Sequence, residues 1–210
     1  ELDGYTVQTV GDNAFSGCLT LTSVEIPESV EKIGDYAFDN CVNLKTVTIE
    51  DGVETIGREF LKNTAVTEIT LPESLTSADN ALGGAQELEK VTFAEGSRSV
   101  PTGLLRRYAV SDPGSNVSEV ILPESVTEIG NSAFYNCDFL TEIKLPRELE
   151  RIGNNAFYDC DAITEVVIPA TVKQIDESAF YGCGSLREIT LNDGLEIIGR
   201  RVIGDTQVKS

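Results

Sequence analysis

Five cysteines carry the most reactive side chains of this chain, since a cysteine thiolate can attack an electrophile, bind zinc or form a disulfide. They are Cys18, Cys41, Cys137, Cys160 and Cys183. Three of the intervals between them are 23 residues, and no two have the C-x-x-C spacing of a zinc or redox site. Thr64 and Ala85 take the same position in two other copies of the pattern. The position selects a small side chain, so we predict buried free thiols that pack as compact apolar groups.

Four glutamates form the second group with possible chemistry. They are Glu119, Glu142, Glu165 and Glu188, each 23 residues after the last. Ile121, Lys144 and Val167 each follow one of them by two residues, on the same side of an extended chain. This pattern predicts an acidic surface with apolar patches that suits a basic peptide or a cation. The alternative is an ordinary solvated face screened by salt, and calcium binding stays open although no calcium-loop pattern is present.

An irregular segment is the third candidate. Residues 106–116 read RRYAVSDPGSN and add about six residues between otherwise regular copies. Insertions in repeat proteins form loops on one face, and arginine and tyrosine are frequent in binding hot spots. We therefore predict that Arg106, Arg107 and Tyr108 form a contact cluster. The alternative is that Tyr108 packs inward in place of a cysteine and that the other residues have drifted.

The composition narrows the function further. The chain has no histidine, which is the commonest general base and metal ligand. Sixteen basic against 35 acidic residues give a net charge of −19, which repels phosphate backbones and anionic membranes. No apolar run approaches the roughly 18 residues of a membrane span. We expect no catalytic residue, metal site or cofactor, no nucleic-acid partner and no direct membrane insertion.

A repeated unit of about 23 residues must position all of these side chains. Full copies begin at residues 21, 44, 66, 88, 117, 140, 163 and 186, after a half copy in residues 1–20. Repetition at this period predicts a solenoid in which stacked copies share one core. We therefore expect residues 1–210 to form a single solenoid, and because both ends look cut we expect a fragment of a longer protein.

Each unit has three parts. The first, LTSVEI in the copy that begins at Leu21, alternates apolar and polar residues and predicts a short strand that proline closes. A second short extended segment ends at a glycine, as at Gly34, which suits a corner with unusual dihedrals. Ala37, Phe38 and Cys41 then have helical spacing, so we expect a short helical turn on the outer side.

The recurring phrase IPxxVxxIGxxAFxxC resembles the leucine-rich repeats of the BspA type, over residues 7–208. The resemblance implies a leucine-rich-repeat solenoid of the α/β class. In that fold a right-handed β-α superhelix carries short parallel strands on its concave face and short helical turns opposite. It also implies a secreted or cell-surface bacterial protein that adheres to a host matrix or cell-surface protein.

Two functions remain open at this stage. The first is a noncatalytic protein-binding or adhesion module that uses the concave sheet, the insertion at residues 106–116, or both. Its acid excess favours a basic partner. The second is a structural spacer that presents a neighbouring domain and binds nothing.

Overall fold

The computed structural model describes residues 6–107 and 114–209, which stack as about eight turns of a β-solenoid. Every strand pair is parallel, because each turn of the chain returns in the same direction as the last. In chain order the strands are β1 (Thr9–Val10), β2 (Ser23–Ile26), β3 (Lys32–Ile33), β4 (Thr46–Ile49), β5 (Thr55–Ile56), β6 (Glu68–Leu71), β7 (Lys90–Phe93), β8 (Ser99–Val100), β9 (Glu119–Ile121), β10 (Glu128–Ile129), β11 (Glu142–Ile143), β12 (Arg151–Ile152), β13 (Glu165–Val167), β14 (Gln174–Ile175), β15 (Glu188–Thr190) and β16 (Ile197–Ile198).

Two columns of strands cover two sides of the solenoid. The long-strand face consists of β2, β4, β6, β7, β9, β11, β13 and β15, and the short-strand face consists of the other eight strands. The long-strand face is hydrogen bonded as three sheets, β2–β4, β6–β7–β9–β11 and β13–β15. The short-strand face forms two, β1–β3–β5 and β8–β10–β12–β14–β16. The predicted strands and their stacking are therefore confirmed.

Apolar and polar residues alternate along the strands, and the apolar ones form the core. On β4, Val47 and Ile49 are buried while Thr46 and Thr48 are exposed. The core extends from Val10 to Val202 as one cluster of buried apolar residues. Phenylalanines stack inside it, with 5.0 Å between the ring centroids of Phe134 and Phe157 and the same distance from Phe157 to Phe180. Such a core exists only when neighbouring turns are present, since one unit has no second layer to cover its apolar side.

The third side, which we call the turn face, does not contain the helical turns predicted from the Ala-Phe-Cys spacing. The described residues include no helix. Tyr36 and Asn40 have left-handed φ angles of 56° and 58°, and a right-handed helix cannot continue through such residues. Alternate amides also bond to the next turn: the Phe38 N–H donates to the Phe60 carbonyl at 2.9 Å. The backbone of the turn face is therefore hydrogen bonded between neighbouring turns instead of within a helix.

The glycines after the short strands also differ from expectation. None of Gly34, Gly57, Gly130, Gly153 and Gly199 has a positive φ. A Cβ built on Gly34 would instead lie 2.5 Å from the amide nitrogen of Asp12 on the preceding turn. Glycine is favoured there because the backbones of adjacent turns approach closely. Three turns hold another residue at this position, Asp79, Pro101 and Asp176, and the Asp176 carboxylate forms an ion pair with Arg151.

Candidate functional site

The glutamate column lies on the long-strand face, where the sequence predicts it, but it is not continuous. Glu119 is in register with Glu142, and Glu165 is in register with Glu188. No ladder joins β11 to β13 within the described residues, so the column consists of two like-charged pairs. Like charges directly opposite each other on adjacent strands are unfavourable by a few tenths of a kcal/mol or more.

A lysine limits the acidic column on its N-terminal side. The Lys90 ammonium nitrogen lies 3.2 Å from a Glu119 carboxylate oxygen, and the two residues are in register on β7 and β9. The same column has mixed charge in the preceding turns, where Glu68 on β6 is in register with Lys90. The acidic surface therefore begins at β9 and covers the C-terminal half of the long-strand face.

Apolar side chains lie beside these glutamates. Ile121 is 40% exposed and Val167 is 67% exposed. Lys144 between them is also exposed. The sequence-predicted juxtaposition of acidic, apolar and single basic groups on one face is present in the structure.

A groove lies on this face along β9 and β11. The two strands share only the pairs Glu119–Glu142 and Val120–Ile143, whereas β6 and β7 share four pairs. A depression of about 590 Å³ lies along these two strands and the residues that flank them, and we call it the C-terminal groove. Its lining residues are Ser118, Glu119, Val120, Ile121, Leu122, Glu124, Thr141, Glu142, Lys144, Leu145 and Pro146.

Two leucines of the C-terminal groove are more accessible than their positions in the repeat suggest. Leu122 and Leu145 are only partly buried, while the equivalent Leu71 and Ile168 are 0% and 3% exposed. Alternation along the strand places all four inward, so the sequence pattern gives no signal of this difference. The groove therefore has an apolar lining that sequence reasoning missed.

Glu124 adds a further carboxylate at this groove that the sequence analysis did not select. It accepts a hydrogen bond of 2.7 Å from the Arg147 backbone N–H, and the Arg147 side chain lies 3.4 Å away. The backbone hydrogen bond, followed by the nearby guanidinium, lowers the pKa of Glu124. This carboxylate therefore stays charged to a lower pH than that of an ordinary glutamate.

A second groove lies in the N-terminal half of the long-strand face, between β4 and β6. This N-terminal groove of about 580 Å³ is lined mainly by hydroxyl groups. They belong to Thr46, Thr48, Thr67, Thr70 and Thr92. Glu68 is its one carboxylate and Lys45 its one ammonium group. The two halves of the face thus have different chemistry.

The two arginines of the irregular segment form ion pairs with other residues of the chain. Arg106 forms an ion pair of 2.9 Å with Asp79, and Arg107 forms one of 3.0 Å with Asp138. Burial raises the pKa of Asp138, while Arg107 opposes that shift. Both arginine side chains are mostly covered, at 27% and 20% exposure. Tyr108, the third member of the predicted cluster, lies outside the described residues.

The cysteines are buried as predicted, except that Cys18 is partly exposed. Three of the thiols, those of Cys41, Cys160 and Cys183, also donate hydrogen bonds, which the sequence did not indicate. Cys41 Sγ lies 3.0 Å from the Phe15 carbonyl oxygen, and Cys183 Sγ lies 3.1 Å from that of Phe157. Burial raises the pKa of Cys183 to about 12, so this thiol is neutral and unreactive in the folded chain.

The described residues contain neither a metal-binding cluster nor a membrane-spanning helix. Among residues 6–107 and 114–209, no three cysteine, aspartate or glutamate side chains are grouped so that they could hold a metal ion. The same residues contain no helix that is long and apolar enough to cross a membrane.

Solved structures of known proteins resemble this chain in fold. A structure of the pneumococcal vaccine antigen PcpA aligns with 99% of this chain at 24% identity and a TM-score of 0.55. This chain covers 54% of that antigen, about half of its length. A leucine-rich cell surface protein from Faecalibacterium prausnitzii aligns at 26% identity and a TM-score of 0.53. The alignment covers 98% of this chain and 70% of the length of that protein. No curated protein matches this chain in sequence.

The repeat itself decides the family. The profile of the BspA type leucine rich repeat region matches residues 8–111 and 105–210, with six copies. These ranges contain the recurring Pro, Gly, Ala-Phe and Cys positions that close the strands, admit the neighbouring backbone and fill the core. This chain therefore belongs to the BspA-type leucine-rich-repeat family.

Proposed function

We propose that this chain is a protein-interaction module of a secreted or surface-exposed protein, and that it binds through the C-terminal half of the long-strand face. The observation that carries the proposal is the C-terminal groove, whose leucines are accessible beside exposed Ile121 and Val167. Accessible apolar groups bordered by charges are typical of surfaces that bind other proteins.

Charge indicates the kind of partner. The chain carries a net charge of −19, and three glutamates line the C-terminal groove with a single lysine. A basic protein surface would be attracted to this face and would approach it faster than a neutral one. The same charge repels nucleic acids.

The relatives support an extracellular setting. The protein from Faecalibacterium prausnitzii is described as a cell surface protein, and PcpA is described as a vaccine antigen. Both share the solenoid fold with this chain. We extend the surface location, but no particular partner, to the present protein.

A peptide selection tests the proposal. Peptides selected from a random library on the immobilised chain should lose binding when Ile121 and Val167 are both changed to Gln. A matched control changes two similarly exposed apolar residues outside the strands of the long-strand face, Leu19 and Val42, which are 59% and 50% exposed. The control variant should retain binding, because it removes similar apolar area at another place.

Two outcomes would contradict the proposal. Selected peptides that bind the Ile121→Gln, Val167→Gln variant as tightly as the parent chain would place the interaction elsewhere. A selection that enriches no peptide would favour a solenoid that only spaces neighbouring domains. Thermal unfolding of both variants checks that neither loses the fold.

A further inference from the structure

We infer that the C-terminal groove accepts a lysine or arginine side chain of the partner. In this arrangement the aliphatic part of that side chain packs on Leu122, Leu145 and Pro146, and its charge lies among the carboxylates of the groove. The inference rests on the proposed function, since it names the group that a bound protein segment would insert there.

The apolar part of the groove is the first support. Leu122 and Leu145 are partly buried against the core and still line the cavity, together with buried Pro146. Water in contact with these side chains gains little from hydrogen bonding. Covering such apolar area with methylene groups is favourable by about 25 cal/mol per Å².

The charges of the groove are the second support. Glu119, Glu124 and Glu142 contribute three carboxylates, and Lys144 contributes the one ammonium group. Glu119 is already paired with Lys90, and Glu124 has Arg147 beside it. Glu142 instead faces Glu119 in register, so its charge is opposed by a like charge. A cation from the partner would relieve that opposition.

Other ligand types fit less well. A wholly apolar group would cover the carboxylates without pairing them, which is costly. An acidic segment would be repelled. A lysine or arginine side chain meets both requirements, because its methylene groups pack on apolar surface while its charged end remains near polar groups. The depression of about 590 Å³ lies within the size range of ligand sites, roughly 300–1,000 Å³.

The N-terminal groove gives an internal comparison. It has a similar volume of about 580 Å³, but hydroxyl groups dominate its lining and its charges are balanced. Glu68 occupies the same place in its repeat as Glu142. A substitution at Glu68 therefore controls for any general effect of removing one negative charge from the long-strand face.

Labelled peptides test the inference on the whole chain. The probe is a short fluorescein-labelled peptide in which valine alternates with lysine. Two related peptides replace lysine with norleucine, which keeps the stem and removes the charge, or with 2,4-diaminobutyric acid, which keeps the charge and shortens the stem by two methylene groups. The lysine peptide should bind about tenfold more tightly than either relative, since each loses one of the two contacts.

Variants of the chain assign the effect to the groove. Glu142→Gln should weaken the lysine peptide about tenfold and leave the norleucine peptide unchanged. Glu68→Gln should leave the affinity for both peptides within about twofold. Salt largely screens the interaction between the Glu68 carboxylate and a peptide bound in the C-terminal groove. An arginine version of the peptide should follow the lysine version.

The outcomes separate this inference from the proposed function. Equal affinity for the lysine and norleucine peptides, or an equal loss with Glu142→Gln and Glu68→Gln, would overturn the inference. If library-selected peptides nevertheless depend on Ile121 and Val167, the proposed function stands without it. If neither the lysine peptide nor any library peptide binds, both fail.

Discussion

The Sγ atom of Cys160 donates a hydrogen bond of 3.0 Å to the carbonyl oxygen of Phe134, one turn earlier in the solenoid. Cys160 is 0% exposed, and the same carbonyl already accepts the Cys137 N–H at 3.2 Å. The thiol thus fills a small buried space and supplies a second donor to that oxygen. Thr64 at the same position is also small and donates, but to Leu61 of its own turn at 2.8 Å, and Ala85 retains only the small size.

Cys160→Ala should lower the free energy of unfolding by about 1–2 kcal/mol, because it removes buried volume and a hydrogen-bond donor together. Urea denaturation followed by circular dichroism measures the change. Cys18→Ala serves as the control and should have a smaller effect, since Cys18 is partly exposed. Equal losses at the two positions would show that burial of the thiol does not matter.

The thiols also predict how stability depends on pH. Burial raises the pKa of Cys183 from 9.0 to about 12. The folded state then keeps a proton that the unfolded state releases, so stability is complete below about pH 9 and falls as the pH rises toward 12. The urea midpoint should be lower at about pH 10.5 than at about pH 8.

Cys183→Ser should reduce this loss of stability at alkaline pH, because one of the titrating buried groups is gone. Cys41 and Cys160, whose pKa values are also raised by burial, would maintain part of it. A pH dependence identical in the variant and the parent would assign the alkaline loss to other groups.

Much of the fold could be predicted because its signals are local. Strand alternation fixes which side of each strand is buried, as Val47 and Thr48 illustrate. The turn face could not be predicted, since Ala37, Phe38 and Cys41 have a spacing that also fits a helix. What prevents the helix is the bond from the Phe38 N–H to Phe60, which exists only after two turns have stacked.

The candidate site also has one part that the sequence predicts and one part that it does not. The exposure of Ile121 and Val167 follows from alternation and could be predicted from sequence. The C-terminal groove could not, because residues of two stacked turns form it together and no single repeat shows how they meet. Leu122 occupies an inward position in the alternation of its strand, and its partial exposure is seen only in the folded chain.

Charge pairing on the long-strand face predicts opposite effects for two similar substitutions. Glu142 is opposite Glu119, whereas Glu68 is opposite Lys90. Glu142→Gln should therefore raise the free energy of unfolding by about 0.2–0.5 kcal/mol at low ionic strength, and Glu68→Gln should lower it by a similar amount. Urea denaturation without and with added salt measures both. Changes of the same sign, or changes that persist in high salt, would contradict this account.

The close approach of neighbouring backbones predicts a large difference between two glycine substitutions. A Cβ on Gly153 would lie 2.8 Å from the amide nitrogen of Asn131 and 2.9 Å from the carbonyl carbon of Gly130. Gly153→Ala should then force adjacent turns apart and lower the free energy of unfolding by about 2 kcal/mol or more. Gly11 has nothing within 4 Å of its Cβ position, and its φ is not positive. Gly11→Ala should consequently be neutral or stabilise the fold by up to about 1 kcal/mol, since alanine restricts the unfolded chain. Thermal unfolding of the two variants distinguishes them, and equal melting temperatures would show that the turns can separate at little cost.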